Sequence, residues 1–398
     1  MRWDFVQLGE LYEVHNGLSK GRQFFGRGYP FLSFSIVFNN WFLPKMLTDL
    51  VQSSDKERES YSILRGDVFI TRTSETMDEL GMSSVALMDY PNATYNGFTK
   101  RLRPIDKKRI LPEYIGYYLR CNEFRSKFIA FSTMTTRASL RNEDLLSIKV
   151  PVPPLDIQRR IADILSTYDD LIENSRKQIK LLEEAAQRLY KEWFVDLRFP
   201  GHEHTKIVDD VPEEWERLPI SQLGEFLNGF AFKPSDWQKE GMPIIKIKEM
   251  RSGVSSDTPR NNGERVPEEY HVRSGDILFS WSATLSVMIW NGEDGWLNQH
   301  LFKVMPNTGI CREFILQSIA QAISEFSNLT TGSTMKHIQR NKLDQVFVKV
   351  PSSETMSRYQ EVSECIRDKL LLLAKQKNKL TEARNRLLPK LMSGEVEV

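Results

Sequence analysis

The residue groupings with chemical potential in this chain suit contact to phosphates and base edges more than the making of bonds. Thr330-Thr331-Gly332-Ser333-Thr334-Met335-Lys336-His337 sets small hydroxyls beside a glycine, which lets a backbone approach a ligand closely, and Lys336 can meet a phosphate. Its candidate contacts are Thr331, Ser333, Thr334, Lys336 and His337; the plainer reading is a capped turn leading into Ile338. Ser132 to Arg137, with Ser139, ends in an arginine, whose fork fits guanine O6 and N7. Ser19-Lys20-Gly21-Arg22, with Arg27, is a basic glycine-containing loop, and Phe230 to Lys233 stands in the matching place later. Ser19, Lys20, Arg22 and Lys233 are candidates for positioning on phosphates, against a solvated loop. Gln299 and His300, after Asn298, suit adenine or phosphate as well as they suit a network that fixes a loop. Trp281 and Trp237 offer faces for stacking, although most tryptophans serve cores.

Other chemistry finds little support. The six histidines have no metal-ligand spacing, with His202 and His204 two apart in a linker. There is no glycine-rich phosphate loop, no Asn-Pro-Pro-Tyr string and no paired nucleophile and base. The expected list of catalytic residues, metals and cofactors in this chain is therefore empty. Net charge is +1, so any basic surface is local, such as the run Arg101, Arg103, Lys107, Lys108 and Arg109, which reads first as a solvated face. The three cysteines lie far apart, which suits a reduced cytoplasmic protein. No apolar run is long enough for a membrane span.

The elements that position these residues are written twice. Leu8-Gly9-Glu10 with Asn16-Gly17 returns as Leu223-Gly224-Glu225 with Asn228-Gly229. Gly66-Asp67-Val68-Phe69-Ile70-Thr71 returns as Gly275-Asp276-Ile277-Leu278-Phe279-Ser280, and Lys149-Val150-Pro151 as Lys349-Val350-Pro351. The offset shrinks steadily along the chain, as loop deletions would cause. Asp67 to Thr71 and Asp276 to Ser280 read as buried strands, and Pro112 to Phe128 and Arg312 to Phe326 as helices, which predicts two mixed α+β domains.

Each domain is followed by a long helix. Asp156 is the expected cap of the first, which Pro200-Gly201 stops. Ile161, Tyr168, Ser175, Leu182 and Leu189 recur every seven residues, flanked by lines through Ile164 and Leu165, a stripe wider than a dimeric seam. Ser352-Ser353 is the expected cap of the second helix, whose line runs through Tyr359, Ile366, Leu373, Leu380 and Leu387; Pro389 should kink or end it, and Gly394 follows. Antiparallel pairing within the chain buries both stripes; the alternative is a dimer zipper. The expected fold class is α+β: two pseudo-symmetric domains separated by a pair of long antiparallel helices. The boundaries are 1–153 and 199–352 for the domains, 154–198 and 353–398 for the helices and tail.

This whole arrangement resembles the specificity subunits of type I restriction–modification enzymes. The likeness rests on Trp281 at the end of its strand, on Leu297-Asn298-Gln299-His300-Leu301-Phe302-Lys303-Val304, and on Thr331 through Ile338. It rests also on the helix ends Trp193-Phe194-Val195-Asp196 and Leu387-Leu388-Pro389-Lys390-Leu391. The resemblance implies two target-recognition domains, each reading one half of a split double-stranded DNA sequence. It implies helices that hold two methyltransferase subunits carrying S-adenosylmethionine, with Trp193, Phe194, Leu387 and Leu391 as candidate docking residues. It further implies a motor–nuclease subunit using ATP and Mg. The first half departs more from the family wording, with Arg72-Thr73 where the second has Trp281-Ser282, which makes Arg72 a candidate reader. Two other readings remain: a single-chain methyltransferase or nuclease, disfavoured by the missing motifs, and a coiled-coil scaffold, disfavoured by the twin domains.

Overall fold

The computed structural model describes residues 3–74, 80–130, 133–134, 138–139, 141–282, 284–328 and 340–398. It divides into two compact units, one of Met1–Ile172 with Lys379–Val398 and the other of Glu173–Asn378. Each unit therefore takes in a piece of both long helices.

The first unit contains β1 (Phe5–Gln7), β2 (Tyr12–Asn16), β3 (Phe25–Leu32), β4 (Val68–Thr71), β5 (Ser83–Val85), β6 (Thr94–Tyr95), β7 (Thr99–Pro104) and β8 (Lys149–Pro151). Strands β2-β7-β4-β5 form an antiparallel sheet in that order, β3 pairs in parallel with β6, and β1 closes against β8. Helices α1 (Phe34–Asn39), α2 (Pro112–Tyr118) and α3 (Asn122–Ala130) cover it, and α4 (Leu155–Tyr190) follows β8. β4 is buried throughout because both its faces are covered: Val68 and Ile70 enter the core shared with the helices, while Phe69 faces a second cluster with Tyr95. Burial of each such side chain is worth about 1.5–3 kcal/mol.

The second unit repeats the plan with β9 (Glu216–Pro219), β10 (Gly224–Asn228), β11 (Met242–Ile245), β12 (Ile277–Ser280), β13 (Ser286–Ile289), β14 (Gly295–Leu297), β15 (Leu301–Pro306) and β16 (Phe347–Val350). The sheet order is β10-β15-β12-β13, β11 is parallel to β14, and β9 pairs with β16. Even the register repeats: Asn16 lies opposite Lys100 and Asn228 opposite Phe302. Helices α5 (Ile247–Ser252), α6 (Arg312–Asn328) and α7 (Ser353–Ser393) complete the set.

The repeated strings have backbone reasons. Gly66 and Gly275 hold φ of 94° and 101°, where a side chain is strained, and Asp67 and Asp276 then accept the amides of Leu64 and Arg273, each at 2.8 Å. A Cβ on Gly17 or Gly229 would collide with the carbonyl of Asn96 or Asn298.

Several expectations need correction. Pro112 to Phe128 is two helices, not one. The Arg120 guanidinium leaves the helix to meet the carbonyls of Val37, Phe38, Asn40 and Ser83 at 2.6–3.0 Å, and Arg120 and Cys121 close onto Tyr117 and Tyr118 in a tight last turn. Asp156 lies inside the first turn of α4 rather than at its cap. That helix gives way to a π-turn over Lys191–Val195 before Pro200 is reached. Pro389 sits within α7, because buried Leu388, Leu391 and Met392 hold the last turn in place. The stripe on α4 is narrower than three lines: Ile161, Leu165, Ile172 and Ser175 are buried, whereas Leu171 is 42% exposed. Ser352 does cap α7, its Oγ accepting the Thr355 amide at 3.4 Å.

Pairing of the helices is antiparallel within each unit. Asp169, early in α4, pairs with Arg384, late in α7; Trp193, after α4, packs at 5.8 Å on Tyr359, early in α7.

Candidate nucleic-acid interface

Within each four-stranded sheet, antiparallel order gathers the end of one strand and the starts or ends of its neighbours at one sheet end. In the second unit that end carries Asn228 at the close of β10, Trp281 just past β12, and Gln299 and His300 just before β15. The Trp281 indole donates to Asn228 Oδ1 at 3.1 Å, and its ring lies 6.0 Å from the His300 ring and 5.9 Å from that of Phe302. Buried Asn298 accepts the His300 amide at 3.4 Å, so a turn presents Gln299 and His300 together, their Nε2 atoms 3.5 Å apart. Among the described residues, His300 Nδ1 is buried with no hydrogen-bond partner.

The first unit builds the same end with other side chains. Arg72, just past β4, donates from Nη1 to Asn16 Oδ1 at 3.3 Å, and its amide donates to the Phe98 carbonyl at 3.0 Å. Phe98 is 52% exposed beside it, and Ser19 is exposed on the loop after β2. From Arg72 the chain runs into Thr73–Ser74, where Ser74 pairs with Ala138 and so meets the segment after Arg137. Beneath them Lys100 is buried and donates to Asn142 Oδ1 at 2.6 Å. Burial, reinforced by the Arg72 guanidinium and opposed by Asp144, pulls its ammonium down to about 8. A planar cation in one unit and a planar aromatic in the other thus stand at equivalent positions, each tied to the asparagine of an Asn-Gly pair.

Other expected residues fall elsewhere. Lys20 is held within the chain: its ammonium meets Glu57 Oε2 at 2.9 Å and the Gln52 carbonyl at 2.7 Å, with 16% exposure. Arg22, Arg27 and Lys233 are exposed, and the Lys233 amide is held by Asp236 at 2.7 Å. Trp237 is 48% exposed, with the Lys246 ammonium 4.5 Å from its ring centre. Arg101 and Arg103 are structural, the former donating to the Ser62 carbonyl and the latter gripping buried Asp67 through two bonds at 2.7 and 2.8 Å. Phe194 and Leu391 are core side chains, 3% and 1% exposed, taken up by packing within the chain, whereas Trp193 and Leu387 are only partly buried against the same cores. Arg137, Thr331, Ser333, Thr334, Lys336 and His337 lie outside the described residues. Sequence reading missed Asn16, Asn228, Phe98 and Lys100. The repeated Asn-Gly was its one signal, and it marked a turn rather than an anchor.

A family model of the type I restriction modification DNA specificity domain matches residues 1–184 and 212–384. The chain belongs to this family. It is 22% identical to the type I restriction enzyme MjaIX specificity subunit of Methanocaldococcus jannaschii, with all of this chain and 94% of that one aligned. It is 22% identical to the HindI specificity subunit of Haemophilus influenzae, covering 99% of each. A solved type I restriction–modification S subunit from M. genitalium shares the fold, with a TM-score of 0.56 at 14% identity over 98% of this chain and 96% of that one. The duplicated sheet ends of this specificity chain therefore sit within its two matched segments. Among the described residues no three potential metal ligands gather, and no helix is long and apolar enough to cross a membrane.

Proposed function

We propose that this chain is the sequence-reading subunit of a type I restriction–modification complex, with each unit reading one half of a split double-stranded DNA target. The observation that carries this reading is the sheet end built twice on one register, with Arg72 and Asn16 in one copy and Trp281 and Asn228 in the other. Equal scaffolds with unequal side chains suit two readers of unequal half-sites. Arg72 suits a guanine edge or a phosphate, and Trp281 with His300 and Gln299 suits stacking with hydrogen bonding to an adjacent base. Arg22, Arg27 and Lys233 would position the backbone, and Arg137, Thr331, Ser333, Thr334, Lys336 and His337 would add contacts from their loops.

In this reading the chain has no catalytic role and works in the cytoplasm. Two methyltransferase subunits bring S-adenosylmethionine, and motor–nuclease subunits bring ATP and Mg. Comparing methylomes of cells with and without the chain tests it: one bipartite motif should lose methylation when the chain is absent. The purified chain should bind that motif yet transfer no methyl group from S-adenosylmethionine. Methyl transfer by the pure chain would end the reading.

A further inference from the structure

In the first unit the chain between β2 and the end of β3 forms an arm that springs from the sheet end carrying Arg72. Its two feet, Leu18 and Phe31–Leu32, both rest on residues 94–97. The Leu18 amide donates to the Tyr95 carbonyl at 2.8 Å, Gly97 donates to the Leu18 carbonyl at 2.9 Å, and Phe31 and Leu32 lie opposite Thr94 and Tyr95. That segment leads directly into Phe98, whose carbonyl accepts the Arg72 amide. Between the feet, every residue from Gly21 to Tyr29 is exposed. The flanks of the arm are held: the Lys20 ammonium lies 5.0 Å from the Phe24 ring centre, and the Arg58 guanidinium lies 3.7 Å from that of Tyr29.

At the tip the strand bulges. Phe25 and Tyr29 both lie opposite Val51, so Gly26-Arg27-Gly28 is looped out of the pairing. Gly26 and Gly28 hold φ of 88° and 104°. A Cβ on Gly28 would meet the Val51 carbonyl at 2.5 Å, while one on Gly26 would meet nothing within 4 Å. The tip is thus bare backbone that carries one long side chain into open space. Among the described residues the Arg27 side chain has no hydrogen-bond or ion-pair partner. The sequence holds no Asp or Glu between Glu13 and Asp49, so no carboxylate of its own stretch competes for that guanidinium. The second unit repeats the turn with another tip. Met242 and Pro243 face Asn261 and Arg260 as Tyr29 and Pro30 face Val51 and Leu50. Gly241 holds φ of 103°, and a Cβ on it would meet the Asn261 carbonyl at 2.3 Å, so it matches Gly28. One residue earlier, Glu240 stands where Arg27 stands in the first unit.

We infer that Arg27 enters the DNA minor groove at or beside the first unit's half-site and reads the width of the groove there, favouring A·T pairs. This inference rests on the function proposed above and gives Arg27 more than a place on the backbone. The slimness of the tip selects the groove. The minor groove is about 6 Å wide against about 12 Å for the major groove, and the two glycines leave no side chain to block the guanidinium's entry. A·T-rich stretches narrow the minor groove and strengthen its negative potential, which attracts an inserted arginine. A guanidinium also gives up water more readily than an ammonium does. Glu240, at the equivalent tip, is repelled by the phosphates that wall a groove, so this form of reading belongs to one half-site only.

The test is an anisotropy titration of the full-length chain against duplexes that carry the motif its methylome defines. Each A·T pair of the motif, and of one helical turn on either side, is replaced first by G·C and then by inosine·C. Inosine lacks the guanine 2-amino group, so inosine·C resembles A·T from the minor groove and G·C from the major groove. At one or two neighbouring pairs on one side of the target, G·C should weaken binding about tenfold while inosine·C leaves it unchanged. This scan of the parent chain needs no substitution in the protein. Arg27→Ala should weaken binding to the unaltered duplex about tenfold and abolish the difference between G·C and inosine·C, and Arg27→Lys should not restore it. Equal losses from G·C and inosine·C at every sensitive pair would overturn the inference, as would full rescue by Arg27→Lys or an Arg27→Ala chain that keeps the parent's discrimination. Each of those results leaves the proposed function standing. A parent chain that binds the motif no better than unrelated duplex overturns both.

Discussion

Trp281 and Asn228 are joined by a 3.1 Å hydrogen bond across the end of one sheet, and Arg72 and Asn16 repeat that bond at 3.3 Å in the other copy. The asparagine anchors and the side chain after the central strand varies, so the anchored side chain is the part that differs between readers. Arg72→Ala should weaken binding to the cognate motif by about 1–3 kcal/mol and relax one position of one half-site, while Trp281→Ala should affect the other half-site only. Trp281→Phe should recover part of the loss, since stacking survives without the indole donor. Anisotropy titrations against duplexes substituted in each half-site would check this; losses in the same half-site for both residues would count against it.

Phe194 and Leu391 should behave as core residues. Phe194→Ala leaves a void beside Trp215, Phe314 and Tyr359 and should cost about 3–5 kcal/mol, and Leu391→Ala about 2–5 kcal/mol. Denaturant titration reads both. A full-stability variant that lost only methyltransferase binding would restore them to a docking role.

The difference between these two cases shows what the sequence makes legible. Gly-Asp and Asn-Gly could be read because they answer backbone demands, a positive φ or a close carbonyl, that each copy meets with the same residue. The helical stripes were legible as apolar lines, but periodicity does not say whether a neighbour in the same chain or another subunit covers them. Lys20 looked like a phosphate ligand because its partner Glu57 lies 37 residues away, beyond any local pattern. Arg120 broke a helix for the same reason: its carbonyl partners come from elsewhere in the fold.

Lys100 predicts a pH dependence. Its ammonium titrates near 8 in the folded chain against an ordinary 10.5. Below about 8 both folded and unfolded chains hold the proton and the burial penalty is fully present. Between about 8 and 10.5 the unfolded chain binds more protons, so stability rises with pH; above that range the penalty is gone. The gain should be a few kcal/mol at most. Urea midpoints at pH about 7.5 and about 10, compared with Lys100→Met, would measure it. A parent chain whose pH slope matches the variant's would show that Lys100 does not supply the effect.

The last prediction concerns exchange of a whole reader. The first unit is not a continuous stretch: Leu388, Leu391 and Met392 from the C-terminal helix share a core with Ile161, Leu165 and Val150. A chimaera that takes residues 1–172 from a relative places foreign side chains against this chain's own Leu391, and misfitting cores cost about 1–3 kcal/mol. Carrying residues 379–398 across as well keeps the core intact. The two-segment chimaera should therefore be the more stable of the pair in denaturant titration. In cells, both should change one half of the methylated motif and leave the other half alone, because the second unit's sheet end is untouched in each. Motif sequencing of the two strains decides it: if both halves of the motif change together, or neither changes, the two units do not read separately.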